Sequence, residues 1–214
     1  MKYFHISSDN MNTISRYLVV LLLTVAPFGL AAQNNVLLER LYDIFASNCI
    51  ALDCTYSIES DVVPVKGQCE IEFQDTSYKM KGGGLEIFCD GASVWILDAG
   101  VMEAVIEPVS DDSHTYMSNP ALLFRDMDQM FSVSGSSSAG SVMRYRLSAK
   151  KPCGVRTAVL DIDKNAVLQK AEFLMDNDCV IRIDVKSVTV LPKKENSAFA
   201  PGKISSDWVV TDLR

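Results

Sequence analysis

The sequence is poor in the patterns that mark several functional classes. It has only two histidines, and none of its six cysteines forms a Cys-x-x-Cys pair, which argues against a zinc site. Acidic residues outnumber basic ones by 27 to 20, and this balance argues against a nucleic-acid-binding protein. No apolar run reaches the ~20 residues that cross a bilayer as a helix. The composition therefore argues against a zinc protein, a nucleic-acid-binding protein and a protein with a membrane-spanning helix.

The N-terminus does contain one apolar stretch, from Tyr17 to Leu30. Arg16 precedes it and Ala31-Ala32-Gln33 follows it. A basic start, an apolar centre and small residues at the end are typical of a secretory signal peptide. A membrane anchor is the alternative, but the stretch is short and Pro27 interrupts it. The sequence therefore predicts export.

Residues 1–32 are predicted to be the cleaved signal peptide, with Met11 as an alternative start. Residues 33–214 are predicted to form a single domain in the periplasm. No cysteine stands at the expected cleavage point, so we expect a soluble protein without a lipid of its own. Loss of the signal leaves 18 basic and 26 acidic residues and a net charge of −8, which disfavours anionic lipid surfaces.

After the signal, residues 36–47 carry apolar side chains at helical spacing, and the period then changes to two. Two segments on either side of Asp61-Val62 alternate apolar and polar residues and predict a hairpin with one apolar face. The predicted cross-strand pairs are Leu52 with Ile71, Cys54 with Cys69, Tyr56 with Gly67, and Ile58 with Val65. Cys54 and Cys69 would thus face each other, as a disulfide or as two small buried side chains.

Gly83-Gly84 and Asp90-Gly91 suit two-residue hairpin loops. The first loop sets Met80 opposite Ile87, and the second sets Ile87 opposite Val94 and Leu85 opposite Ile96. Further strands are predicted at 101–108, from Val142 to about Leu191, and from Trp208 to Leu213.

Asn119-Pro120 is typical of a helix start, and it predicts an amphipathic helix from Ala121 to Phe131. The serine-rich segment 132–141 that follows is predicted to be a flexible loop. The fold class is therefore mainly β (α+β): a single curved antiparallel sheet, or an incomplete β-barrel, with a helical lid on its concave face.

Three stretches of the sequence resemble LolA lipoprotein carriers. Residues 88–98, FCDGASVWILD, resemble the family's "DG-x-x-x-W" hairpin, and Asn119-Pro120-Ala121-Leu122-Leu123 resembles its following helix. The ending, VVTDLR, resembles its last strand. The best-known carriers have an Arg-Pro pair after the second strand, where the arginine helps to govern lid opening. This chain has Phe73-Gln74 there.

The resemblance implies a soluble periplasmic carrier that shields the acyl chains of lipoproteins and moves them from the inner to the outer membrane. Its partners would be acylated cargo, an inner-membrane lipoprotein-releasing ABC transporter and an outer-membrane acceptor. The chain would be a monomer without cofactor or metal. The alternatives are a free-lipid shuttle and a periplasmic sensor or interaction module with the same fold.

A carrier needs an apolar lining but no catalytic group. The candidates come from the predicted apolar face of the sheet and from the lid, although each of them also suits ordinary core packing. They are Leu52, Tyr56, Ile58, Val65, Ile71, Phe73, Tyr78, Met80, Ile87, Val94, Ile96, Leu123, Phe124, Met127, Met130 and Phe131.

Enzymatic interpretations find little support. His114 follows Asp111-Asp112-Ser113, but residues adjacent in a polar loop do not define a catalytic triad. The same acidic pair and the turn 176–178 lack the ligand count of a calcium loop. The chain is therefore predicted not to be an enzyme.

Overall fold

The computed structural model describes residues 35–60, 64–109 and 126–214. The chain divides into two units, Met1–Val36 and Leu37–Arg214, and the sheet belongs to the second. The predicted signal peptide, the turn at Asp61-Val62, Asn119-Pro120, and His114 with its acidic neighbours lie outside the described residues.

The described residues contain two α-helices, a short 3₁₀ helix and twelve strands. The helices are α1 (Val36–Ser47), α2 (Met127–Met130) and the 3₁₀ helix (Asn196–Phe199). The first six strands are β1 (Cys49–Glu59), β2 (Val65–Gln74), β3 (Ser77–Gly82), β4 (Leu85–Cys89), β5 (Ser93–Asp98) and β6 (Glu103–Pro108). The others are β7 (Phe131–Ala139), β8 (Val142–Ala149), β9 (Val155–Asp163), β10 (Leu168–Met175), β11 (Val180–Leu191) and β12 (Val209–Asp212).

All twelve strands form one open sheet in the order β12-β6-β5-β4-β3-β2-β1-β11-β10-β9-β8-β7. Two antiparallel meanders, β1 to β6 and β7 to β11, meet where β1 pairs with β11. Every pair is antiparallel except β6 with β12, which is parallel. The predicted mainly-β, single-sheet class is confirmed.

Helix α1 forms where the sequence predicts it, because its apolar residues fall on one side. Leu38, Leu41 and Phe45 are buried in the core against the sheet. We call the sheet face that α1 covers the inner face and the opposite one the outer face. The Phe45 ring meets the Phe73 ring edge-on, with centroids 5.5 Å apart.

The predicted β1–β2 register is confirmed at all four pairs, including Cys54 with Cys69. The register at Gly83-Gly84 is also confirmed, with Met80 opposite Ile87.

The register predicted at Asp90-Gly91 is wrong by two residues. Ile87 pairs with Ile96 and Leu85 with Asp98, because the Asp90 carboxylate accepts hydrogen bonds from the amides of Ala92 and Ser93 and organises a longer loop. A shift of two leaves every side chain on its predicted face.

The predicted loop at 132–141 is also wrong, since residues 131–139 form strand β7. Its serines stabilise the edge through their hydroxyls: Ser132 Oγ donates to the Ser148 carbonyl and Ser134 Oγ to that of Arg146. Strand β7 begins at Phe131, which the sequence assigned to the lid helix. Of the predicted helix 121–131, residues 121–125 lie outside the described residues, and Met127–Met130 form α2.

Candidate functional site

Half of the predicted lining residues are core residues in this structure. Their side chains belong to the hydrophobic core, which also includes the buried residues of α1. They are Leu52, Ile71, Phe73, Tyr78, Val94, Met127, Met130 and Phe131. Such residues contact a ligand only if the interior opens.

The other described candidates remain accessible on the inner face. Tyr56, Ile58, Met80, Ile87 and Ile96 are half-buried, and Val65 is exposed at 44 %. Leu123 and Phe124 lie outside the described residues. The structure therefore divides the predicted lining into a sealed set and an accessible set.

A continuous row of cross-strand neighbours joins these two sets. It passes from β1 through the intervening strands to β12, and its members are Leu52, Ile71, Met80, Ile87, Ile96, Val105 and Thr211. Leu52 and Ile71 are 3 % and 8 % exposed, the next four are half-buried, and Thr211 is exposed. We call Met80, Ile87, Ile96 and Val105 the apolar row. Solvent access thus increases from the helix-covered core towards the sheet edge.

Tyr56 lies beside this row because its cross-strand partner is a glycine. A Cβ on Gly67 would come within 2.8 Å of the Tyr56 hydroxyl oxygen, so the ring occupies the space above Gly67. A larger residue at 67 would displace the ring. Gly67 therefore allows Tyr56 to cover the sheet at the border of the accessible region.

Cys54 and Cys69 form a disulfide between β1 and β2, with Cα atoms 5.4 Å apart. It lies on the inner face, and the pair of Tyr56 with Gly67 is its next neighbour on that face. Cys49 and Cys89 are buried and are not part of the disulfide, and burial raises the pKa of each thiol. Both are therefore protonated at neutral pH and poor nucleophiles.

Three tyrosines have a raised pKa because their rings are buried. Burial is the main cause that raises the pKa of Tyr42, Tyr78 and Tyr145, with smaller contributions from nearby acidic groups such as Asp128 beside Tyr42. A buried neutral phenol adds little polarity to the inner face.

The outer face carries a second apolar cluster, which the sequence did not explain. Phe88, Trp95 and Leu97 point to this face together with the buried Ala104 and Ile106. The chain between β11 and β12 crosses here with the fully buried Phe199 as its anchor. A lone phenylalanine among polar residues gave no sequence signal for this role.

Polar contacts hold the same connecting segment, which we call the strap (residues 192–208). The Gln74 side-chain amide donates to the Lys194 carbonyl at 2.6 Å, and the Lys194 amide donates to Gln74 Oε1 at 2.8 Å. The Lys79 ammonium lies 5.6 Å from the Phe199 ring centroid. Gln74 thus attaches the strap to β2.

The outer face also has two shallow charged grooves. One, of about 390 Å³, is lined by alternating charges that include Glu70, Lys79 and Lys81. The other, of about 340 Å³, contains the bidentate pair of Arg144 with Asp161 and the pair of Lys170 with Asp184. Their side chains largely neutralise one another, so neither groove resembles a site for acyl chains.

Within residues 35–60, 64–109 and 126–214, no cluster of three His, Cys, Asp or Glu side chains could hold a metal ion. In the turn at 176–178, Asp178 pairs with Arg156, and Asn177 Oδ1 accepts the amide of Cys179. These turn groups therefore already have protein partners.

None of the helices in the described part of the chain is long and apolar enough to cross a membrane.

Sequence comparison adds no relatives: no family profile and no curated protein matches this chain.

Structure comparison defines the class of fold. The open sheet matches an uncharacterised conserved protein from Thermus thermophilus with a TM-score of 0.52 and 13 % identity, over 85 % of this chain and 99 % of that one. At this identity the likeness concerns the fold alone.

Other similar structures include proteins named for the LolA fold or for lipoprotein sorting. A LolA superfamily protein from Nitrosomonas europaea has a TM-score of 0.41 and 11 % identity, over 78 % of this chain and 97 % of that one. A putative outer membrane lipoprotein-sorting protein domain from Vibrio parahaemolyticus has a TM-score of 0.43 and 9 % identity, over 79 % and 97 %. The structures similar to this chain thus include LolA-like proteins, the group that the sequence resembles.

Proposed function

We propose that this protein is a periplasmic carrier that shields the acyl chains of lipoproteins on their way from the inner to the outer membrane. The observation that carries the proposal is the apolar row, which leads from a closed core to an exposed sheet edge. Contiguous accessible apolar surface is typical of a binding site rather than of ordinary protein surface.

The shape of this surface suits an acyl chain. Met80, Ile87 and Ile96 are direct cross-strand neighbours, so they form an unbroken apolar path across the strands. Each methylene that leaves water gains roughly 0.8 kcal/mol, so even partial coverage of a chain favours binding. Met80 adds an unbranched, adaptable side chain next to two branched ones.

The role assigned to each group of residues follows from its burial. The apolar row, with Tyr56 and Ile58, would contact cargo directly. The buried candidates would join only when α1 moves away from the sheet. The donor would be an inner-membrane lipoprotein-releasing transporter, and the acceptor would lie at the outer membrane.

Two neighbouring residues provide a matched test. Ile96 and Leu97 are both half-buried on β5, but they point to the inner and the outer face respectively. Ile96→Asp should weaken binding of a fluorescent triacylated lipopeptide at least about tenfold, since a carboxylate would stand in the acyl path. Leu97→Asp should bind as the wild type does. Equal binding by both variants, at equal folded fractions, would exclude the apolar row as the site.

Native mass spectrometry of protein purified from its own periplasm tests the cargo class. Co-purified acylated polypeptide is the expected result. Free lipid alone would replace the proposal with a lipid shuttle. A protein that is consistently empty and releases no labelled lipoprotein from spheroplasts would overturn it in favour of an interaction module.

A further inference from the structure

Strand β12 forms an edge of the sheet with an unpaired side. Its partner among the described strands is β6: the amide of Val209 donates to the Met102 carbonyl at 2.9 Å, and that of Leu213 to the Ile106 carbonyl at 2.8 Å. Alternate amides of a strand point to opposite sides, so those of Val210 and Asp212 point away from β6. Among the described residues, no strand pairs with that side.

The side chains at this edge are unusually apolar for an exposed strand. Val209, Val210 and Leu213 are 64 %, 47 % and 60 % exposed. Its one charge within the strand, Asp212, is neutralised by Arg214 at 2.6 Å. Natural edge strands are usually protected by short length, charge, proline or a bulge; β12 is short, with four residues, but it has no lysine, proline or bulge.

The opposite edge of the sheet gives the contrast. Strand β7 is interrupted by a register shift between Val133 and Gly135, and its outward residues are mostly serine. Only Val133, 38 % exposed, is a large apolar residue with substantial exposure there. Strand β7 is therefore a poor template for pairing, whereas β12 is regular and apolar.

One antiparallel register pairs the outward-pointing amides of β12 with those of a second copy. Residues whose amides point outward must pair with each other, which sets Val210 opposite Asp212 of a second copy and Thr211 opposite Thr211. On the inner face, Val209 then lies opposite Leu213 at both ends of the pairing. This register sets exposed Val209 beside exposed Leu213 of the other copy and Val210 beside Asp212, and it places no like charges directly opposite one another.

We propose that β12 is a dimerisation strand, which pairs antiparallel with β12 of a second copy about a two-fold axis at Thr211. Such an interface is isologous, as in most homodimers. It extends one sheet through both copies and brings their apolar rows close together, since Thr211 is the cross-strand neighbour of Val105, the last residue of each apolar row. The proposal replaces the monomer expected from sequence, and it does not depend on what the apolar row binds.

Cysteine cross-linking tests the register. In this pairing the two Thr211 residues form a close pair with Cα atoms ~4.5 Å apart, within reach of a disulfide. Thr211→Cys treated with diamide, which takes up the two electrons and two protons, should give a covalent dimer on a non-reducing gel. Val209→Cys is the matched control, because the two copies of residue 209 would lie roughly 13 Å apart. The wild type, with and without diamide, shows how much covalent dimer its own cysteines form.

Sedimentation equilibrium tests the interface without a cross-link. The wild type should be a dimer, and Thr211→Lys should weaken association about tenfold because two ammonium groups would meet on the axis. Val133→Lys, which adds the same charge at the β7 edge, should remain a dimer. The unfolding midpoint of each variant confirms that it is folded. A wild type that stays monomeric, or a Thr211→Cys variant that cross-links no more than Val209→Cys, would overturn the proposal.

Discussion

The inner face has two regions with the same kind of residue and different solvent access. Under α1, the side chains of β9 and β10 such as Leu160, Ile162 and Phe173 are almost fully buried. Across β3 to β6, Met80, Ile87 and Ile96 remain half-buried. Composition does not separate the regions. One amphipathic helix does, because it covers part of the sheet, and described residues beyond it keep more solvent access.

Removal of an anchor of α1 should have the largest effect on this contrast. Phe45→Ala deletes a buried ring that packs on Phe73, so the free energy of unfolding should fall by about 3–5 kcal/mol. Ile87→Ala, in the accessible region, should cost only about 1 kcal/mol because less of its surface is buried. Urea denaturation measures both. Equal losses would show that the two regions are packed alike.

The disulfide lies between the two regions, and its removal should have the next largest effect on stability. It joins residues 15 apart in sequence, and a loop of that length corresponds to ~3 kcal/mol of unfolding free energy. Cys54→Ala/Cys69→Ala and the reduced wild type should therefore lose similar stability in chemical denaturation. A reductant that leaves the midpoint unchanged would mean that the pair is a thiol pair in solution.

A substitution within the accessible region should have a moderate effect. Gly67→Ala forces the Tyr56 ring away from the sheet, at a cost of about 1–2 kcal/mol, and exposes the neighbouring backbone. Gly202→Ala is the control, because a Cβ there meets nothing within 4 Å and should change stability by less than about 0.5 kcal/mol. Thermal unfolding and the NMR signals of the Tyr56 ring report the two effects.

The smallest effect is expected at the exposed edge. The Arg214 guanidinium lowers the pKa of Asp212 to about 2. Because the folded pKa lies below the unfolded value of about 3.9, the pair stabilises the fold above pH 4 and loses that contribution as the pH falls towards 2. Arg214→Ala should return the carboxyl pKa towards 3.9 in an NMR titration. An unchanged pKa would show that the pair does not form.

The sequence predicted those features that depend on strong periodicity. The β1–β2 register followed from alternation over many residues, since a slip by one would have exposed Leu52 and Ile71 to water. Helix α1 followed from its apolar side. Period and register are local properties, and they can be determined without tertiary contacts.

Features stabilised by tertiary contacts were missed. Strand β7 lacks apolar alternation, and it forms because β8 supplies hydrogen-bond partners for its serines. The loop at Asp90 depends on one carboxylate rather than on the Asp-Gly pair alone. The strap depends on Phe199 meeting an apolar patch distant in sequence. The same limit applies to the site: periodicity identified the inner face, but only the position of α1 divides the sealed residues from the accessible ones.

The pairing of β1 with β11 has a consequence for how the chain folds. Residue 49 pairs with residue 191, so this joint forms only when nearly the whole chain is available for folding. The meander β1 to β6 can form earlier, and until then one edge of β1 is without its partner. Such long-range pairing is slow and leaves strand edges open to aggregation. We therefore expect refolding to be limited by the β1–β11 joint and to benefit from a chaperone that covers β1.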